Sequence, residues 1–366
     1  MDPLISSAAD QLFSKAAPPE AVREVLNGQA GDAMWAEIEA SGFLDGLVPE
    51  QLGGSGLSAT DVFPVLFACG KYAVPAPVGE TMFARAALAL AGCECVPGPV
   101  ALGVRSGSKH GGFASFDVPH GRVAAWVLVS GEDGTVVLPT DGATFRGPGS
   151  DSLSLDLRWD SCTDDAVELP LDADWLVAGA RIESAAMAGA MESILASSVR
   201  YAGERVQFGR PIGRFQAMQQ QVSILTEQVF ASRMAAELAF SSPRAQAAVD
   251  LLAGADRPRV AAAKTRIGEA AILAAAIAHG VHGAIGITEE FDLQLHTGRL
   301  QSGRLRFGSE AYWARELGRN VLTHGGARVV DFLREELTSS RCQPVDRSVI
   351  DLLPQHLLEA LVARTV

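Results

Sequence analysis

Aromatic residues are scarce in this 366-residue chain, only 6% of the total. Excess basic charge is absent too: the formal net charge is −13. A surface so acidic disfavours nonspecific nucleic-acid binding, which needs cations to meet phosphate. No stretch of about 18 apolar residues runs free of charge, so no membrane span is expected. The Ala270–Ala278 run is too short and follows Lys264, Arg266 and Glu269. The start, Met1-Asp2-Pro3-Leu4, lacks the basic-then-apolar pattern of a secretory leader. The five cysteines, Cys69, Cys93, Cys95, Cys162 and Cys342, have neither CxxC nor zinc-knuckle spacing. They read as reduced thiols of a cytoplasmic protein with no metal site. There is no internal repeat and no low-complexity linker.

What is present is alanine, leucine and a hydrophobic content of 48%, enough for a globular fold. Small helix formers at this density suit tightly packed helices. The spacing divides the chain into four parts. Residues 1–95 read as a helical domain, with Ala33–Glu39 apolar at helical spacing and Gly42 placed to end that helix. Gly53-Gly54-Ser55-Gly56 makes a loop, and Ser58 or Thr60 is placed to cap the next helix. Residues 96–178 change to short β-prone runs, Val123–Val129 and Thr135–Leu138, joined by a hairpin between Gly131 and Gly134. Leu153–Leu157 alternates like a half-buried strand. Residues 179–324 return to alanine-rich helices, with Pro211 and Pro258 near helix starts, and residues 325–366 form a tail with a last amphipathic helix. The expected fold is mainly α, with a helical amino-terminal domain, a small middle β domain and a carboxyl-terminal four-helix bundle. That layout alone names no function.

The segment Arg205-Val206-Gln207-Phe208-Gly209-Arg210-Pro211-Ile212, followed by Phe215-Gln216, resembles the R-x-Q-F-G-x-P-I…F-Q signature of acyl-CoA dehydrogenases. Trp35–Leu57 is similar to the family's W…V-P-E-x-x-G-G-x-G-L pattern, and Val281–Gly286 to its H-G-G-x-G loop. Taken alone, Arg205 would be a helix cap and Phe208 a core residue. The resemblance instead implies that Arg205, Gln207 and Phe208 meet FAD across a dimer interface. It also implies that Gly283 and Gly286 let backbone approach the flavin pyrophosphate. Two departures stand out: Gly280 replaces the glutamine that opens the loop, and Arg105–Gly112 does not match the family's T-E-P-x-A-G-S-D segment.

The family's reaction needs a carboxylate to take the proton α to the thioester while hydride leaves for flavin N5. Against the family's late Y-E-G-T motif stands Phe307-Gly308-Ser309-Glu310, which puts Gly308 in the glutamate's place. The resemblance to isovaleryl- and long-chain-type members points instead to Glu269, fourteen residues before Gly283. Nine apolar residues follow Glu269, so a buried carboxylate is expected. Glu310 is the fallback base, Thr288–Asp292 resembles the T-x-E-x-D stretch that shapes a helix start in some bacterial members, and His282 and His296 read as structural. The implied activity is FAD-dependent α,β-dehydrogenation of an acyl-CoA, as in lipid or steroid side-chain degradation. Electrons would pass to electron-transfer flavoprotein, and the chain would act as a dimer or tetramer. A second reading is a non-catalytic or half-site subunit of a heteromer, and a third a flavin monooxygenase or nitroalkane oxidase of the same fold.

Overall fold

A computed structural model describes residues 3–107, 112–131, 134–161, 165–242, 247–254 and 256–323. The tail after 323, with its expected helix, and the 108–111 part of the unmatched segment lie outside the described residues. Five helices come first: α1 Pro3–Ala16, α2 Pro19–Leu26, α3 Asp32–Ala40, α4 Ala59–Lys71 and α5 Val78–Leu90. Gly42 follows α3 at φ +76°, a left-handed stop that glycine adopts freely. In the loop before α4, a side chain at Gly54 would meet the Val48 carbonyl at 2.2 Å, so the V-P-E-x-x-G-G run folds tightly on itself. Ser58 is the N-cap residue of α4, and its N–H and its Oγ–H both donate to the Asp61 carboxylate, at 3.2 and 2.6 Å.

Seven strands follow: β1 Val100–Gly107, β2 Phe113–Val118, β3 Trp126–Gly131, β4 Gly134–Pro139, β5 Phe145–Pro148, β6 Leu155–Trp159 and β7 Val167–Leu169. They form one sheet ordered β5-β6-β2-β1-β3-β4-β7, in which only β1 and β3 run parallel. The β3–β4 hairpin closes where the sequence places it. Its own small core contains Val127, Val129, Leu157 and Trp159.

The chain then enters α6 Trp175–Glu204, started by Asp174 accepting from the Val177 N–H at 3.1 Å. A two-stranded hairpin, β8 Val206–Gln207 and β9 Arg210–Pro211, separates it from α7 Gln216–Phe240. Pro211 therefore lies in a strand and opens a 3-10 turn, not a helix, and α7 begins five residues later. After α8 Ala248–Leu252 come α9 Arg257–His282, α10 Leu293–Leu305 and α11 Glu310–Thr323. Helices α6, α7, α9 and α10 pack as the bundle, with α11 laid along α9. Residues 257–287 are long and apolar enough to cross a membrane by length and composition, with half of the qualifying window buried inside the fold.

The amino-terminal layer meets the bundle where α4 crosses α6. A Cβ on Gly70 would lie 1.7 Å from the Ala186 carbonyl oxygen, and one on Gly189 would lie 1.9 Å from that of Phe67. Two glycines, one from each helix, let the backbones touch where any side chain would hold them apart.

Candidate active site

The residues singled out by the flavin-type motifs meet at one end of the bundle. Arg205 is the C-cap of α6 and leaves the helix in extended conformation, its N–H donating to Tyr201 O at 2.9 Å. Phe208 (φ +51°) and Gly209 (φ +78°) make the left-handed turn of the β8–β9 hairpin. A phenylalanine held there is strained, and its ring is 90% exposed, touching only the edge of Phe215 at 6.1 Å among the described rings. Arg210 lies over the Phe215 ring, its guanidinium carbon 4.2 Å from the ring centre. Arg205 and Gln207 are exposed as well.

Gly283 ends α9 at φ +64°, ψ −142°, where only glycine sits easily, and its Cβ position faces open space. Gly286 is different. A side chain there would meet His282 Cβ at 2.9 Å and Leu293 Cδ2 at 3.1 Å, so its glycine serves packing inside the fold. Tyr201 stacks on His282 at 4.7 Å and 27°, and Phe291 closes on both rings at 6.0 and 4.7 Å. His282 Nδ1 donates to the Ala278 carbonyl at 2.8 Å, and burial pushes its pKa down, so it stays a neutral packing ring. This stack fixes the α6 exit against the α9 exit. An exposed guanidinium, an exposed aromatic face and an unobstructed glycine then share one open surface. That set fits the pyrophosphate and adenine half of a dinucleotide such as FAD, held from one side.

Glu269 is not buried. It stands on the outer stripe of α9 with Ile272 (53% exposed), Leu273 (42% exposed) and Ala276. The apolar run after it suggests burial only because every residue is small or aliphatic; the helix in fact turns one stripe, Glu269, Ile272, Leu273, Ala276 and Gly280, outward. The fallback, Glu310, is ion-paired with Arg304, and a Cβ on Gly268 would press on it at 2.9 Å. Burial raises its pKa, but hydrogen bonding and the Arg304 and Lys264 charges pull it below the usual carboxylate range, which makes it a weak base. Beside it, Phe307 (φ +52°) and Gly308 (φ +93°) turn the chain. The Phe307 ring fills the space over Gly179, where a Cβ would lie only 2.3 Å from it.

The interior carries a charged cluster that the motifs did not announce. Glu80 on α5 and His120, at φ +57°, are 2% and 1% exposed. His120 Nδ1 lies 2.9 Å from Glu80 Oε1; a carboxylate only accepts, so Nδ1 donates, and Nε2 has no partner among the described residues. Glu183 on α6, 1% exposed, accepts from Arg306 at 3.3 Å, and Arg306 reaches Asp151 at 2.6 Å. Burial works to raise both carboxyls, but Arg306 outweighs it with its neighbours, holding Glu183 below its usual range and Asp151 down to about 2. Lys264, fully buried, donates to the carbonyls of Gly303 and Arg304 at 2.7 and 3.0 Å, and burial lowers it to about 8. A cavity of about 270 Å³ opens beside the cluster, lined by His120, Asp151, Arg306, Arg299 and Arg23 among others. One signal was available in the sequence: Arg181 and Glu183 interrupt an apolar helical run from Trp175 to Met191. A charge inside such a run has to be paired inside the fold, and Arg181 does pair with Asp256, both buried.

Comparison with known proteins agrees with this architecture. Residues 173–322 match the model of the acyl-CoA dehydrogenase C-terminal domain. The chain is 28% identical over 322 residues to the acyl-CoA dehydrogenase IpdE2 of Mycolicibacterium smegmatis, covering 87% of this chain and 98% of that protein. Among solved structures it resembles the Tcur3481–Tcur3483 steroid ACAD, with a TM-score of 0.69, 22% identity, and 88% and 98% coverage. It also resembles the ChsE4–ChsE5 complex from Mycobacterium tuberculosis, with a TM-score of 0.67, 20% identity, and 87% and 96% coverage.

Proposed function

We propose that this chain, which belongs to the acyl-CoA dehydrogenase family, works within an oligomer in the FAD-dependent α,β-dehydrogenation of an acyl-CoA thioester. The observation that carries the reading is the Tyr201–His282–Phe291 stack, which brings the two flavin-type segments to one surface. Bound FAD supplies the hydride acceptor. Arg205 would pair with its pyrophosphate, Phe208 would offer a face to its adenine half, and Gly283 would allow close backbone approach. All of these residues point away from their own bundle, which suits a cofactor seated mainly on another subunit. Electron-transfer flavoprotein is the electron acceptor that the family implies.

Glu269 is our assignment for removal of the α-proton. Its exposed place beside Ile272 and Leu273 makes that role depend on a second chain that covers this face and dries it. A second reading, a subunit that completes a partner's flavin site without a working base of its own, is favoured by the Phe307 ring packed over Gly179 and by the pairing of Glu310 with Arg304. The Tcur3481–Tcur3483 and ChsE4–ChsE5 structures each join two different chains. The test is to purify the chain alone and together with a second acyl-CoA dehydrogenase-like chain, then read flavin absorbance and its anaerobic bleaching by acyl-CoA. Bleaching by the chain alone supports the homomeric enzyme. Flavin only in the pair, with bleaching that survives Glu269→Gln, supports the half-site subunit. No flavin in either preparation refutes both.

A further inference from the structure

Asp292 is the N-cap residue of α10, the position where an aspartate ordinarily accepts from the first free N–H groups of its own helix. Here its side chain makes no such bond among the described residues. The carboxylate turns instead to the guanidinium of Arg23, in the last turn of α2 and 269 residues earlier in the chain. Both chain neighbours of Asp292 touch the segments that carry the flavin-type motifs. On one side Phe291 packs on Tyr201 and His282, with ring centres 6.0 and 4.7 Å apart. On the other, Leu293 Cδ2 lies 3.1 Å from where a Gly286 side chain would stand. Tyr201 O in turn accepts from the Arg205 N–H at 2.9 Å, and His282 directly precedes Gly283. An aspartate that leaves its own helix uncapped breaks a local rule, and such departures concentrate where a structure serves function.

The middle of α10 is tied down separately. Arg299 donates to the Val74 carbonyl of the amino-terminal layer at 3.0 Å, and Thr297 Oγ1 lies 3.2 Å from His279 Nε2 of α9. At the start of the helix the tie is the Arg23–Asp292 pair. We propose that Arg23 and Asp292 are a positioning pair: through them the amino-terminal layer holds the start of α10, and with it the placing of Arg205 relative to Gly283 that FAD requires. This rests on the FAD reading above. Neither residue belongs to the FAD surface itself; both act through Phe291 and Leu293. The side chains are 21% and 50% exposed, so the ion pair alone is weak. It shifts FAD affinity by no more than its own coupling, about fivefold.

Titration with FAD, followed by its fluorescence, tests this on the full chain, alone or with a second acyl-CoA dehydrogenase-like chain, whichever preparation holds flavin as wild type. Arg23→Gln and Asp292→Asn should each weaken FAD binding about threefold to fivefold, and the double variant no more than either single one, because both remove the same contact. Arg23→Lys, which keeps the charge, should restore affinity to within about twofold of wild type. Lys71–Asp10, an ion pair of similar exposure that joins α4 to α1, is the control: Lys71→Gln should leave FAD affinity unchanged. A change under about twofold in Arg23→Gln, or losses that add in the double variant, overturns the proposal. So does an equal loss in Lys71→Gln, which would mark a general loosening of the fold. Arg205→Ala separates the pair from the reading beneath it: flavin lost there but kept at full affinity by Arg23→Gln refutes the pair alone. If the wild type holds no flavin in either preparation, the FAD reading fails and the pair with it.

Discussion

Replacing Glu183 with glutamine removes one negative charge from the buried cluster and leaves its volume nearly unchanged. The side chain is 1% exposed and accepts from Arg306 at 3.3 Å. Arg306, Arg299, His120 and Lys264 all favour its charged form. Glutamine adds no cavity, so the cost is electrostatic. Removing one partner of a buried pair typically costs 3–5 kcal/mol. Arg306 keeps Asp151, so the lower end, about 3 kcal/mol, is expected at pH 7. That is a large share of a typical stability of about 5–15 kcal/mol. The pH dependence has a definite sign. The folded-state pKa of Glu183 is lowered from the ordinary 4.5, so its contribution is complete above 4.5 and disappears as pH falls through the folded value. Guanidinium unfolding followed by tryptophan fluorescence, at pH 7 and stepwise below pH 4.5, should show a gap between wild type and Glu183→Gln that narrows with acid. A loss under about 1 kcal/mol at pH 7 would sink the reasoning, because a buried pair cannot be broken so cheaply. A gap that stays constant or widens toward acid would show that the carboxylate is not held charged.

Three further outcomes are expected. Arg205→Ala should weaken FAD retention by about 1.5–3 kcal/mol, roughly 10- to 150-fold, with circular dichroism and melting unchanged; full flavin occupancy after dialysis would make Arg205 structural. Glu269→Gln should keep its flavin but bleach about 100-fold more slowly with acyl-CoA; stopped-flow traces at the wild-type rate would remove Glu269 as the base. Gly189→Ala should cost about 3 kcal/mol or more, because its methyl would lie 1.9 Å from the Phe67 carbonyl oxygen; a variant with unchanged denaturation midpoint would mean that the α4–α6 contact yields easily.

Much of the fold was legible because it rests on local rules. The β3–β4 hairpin, the Ser58 cap and the Gly42 stop follow from a few neighbouring residues each. The segments proposed to hold FAD stood out as motifs, but their meeting did not. The Tyr201–His282 contact joins residues 81 apart in the chain, and no periodicity announces it. Glu269 shows the limit of pattern. Alanine, isoleucine and leucine look alike as sequence whether a helix face points into a core or toward another chain. Gly286 shows a related limit: a motif glycine can be there for packing as readily as for a ligand. The buried cluster was hidden because its members, Glu80, His120, Glu183, Lys264 and Arg306, come from separate elements and gain their character only from one another.

The crossing at Gly70 and Gly189 bears on how firmly the amino-terminal layer is held to the bundle. Backbone pressed on backbone leaves no compressible layer between α4 and α6, so these two helices behave as one beam. The sheet is joined to that frame less evenly: one cluster on it is its own, while Val100, Leu102, Leu128 and Val137 belong to the main core. Residues 151–153, in the turn before β6, line the cavity opposite α10. The Asp151–Arg306 ion pair spans that gap and so ties the turn before β6 to the carboxyl end of α10.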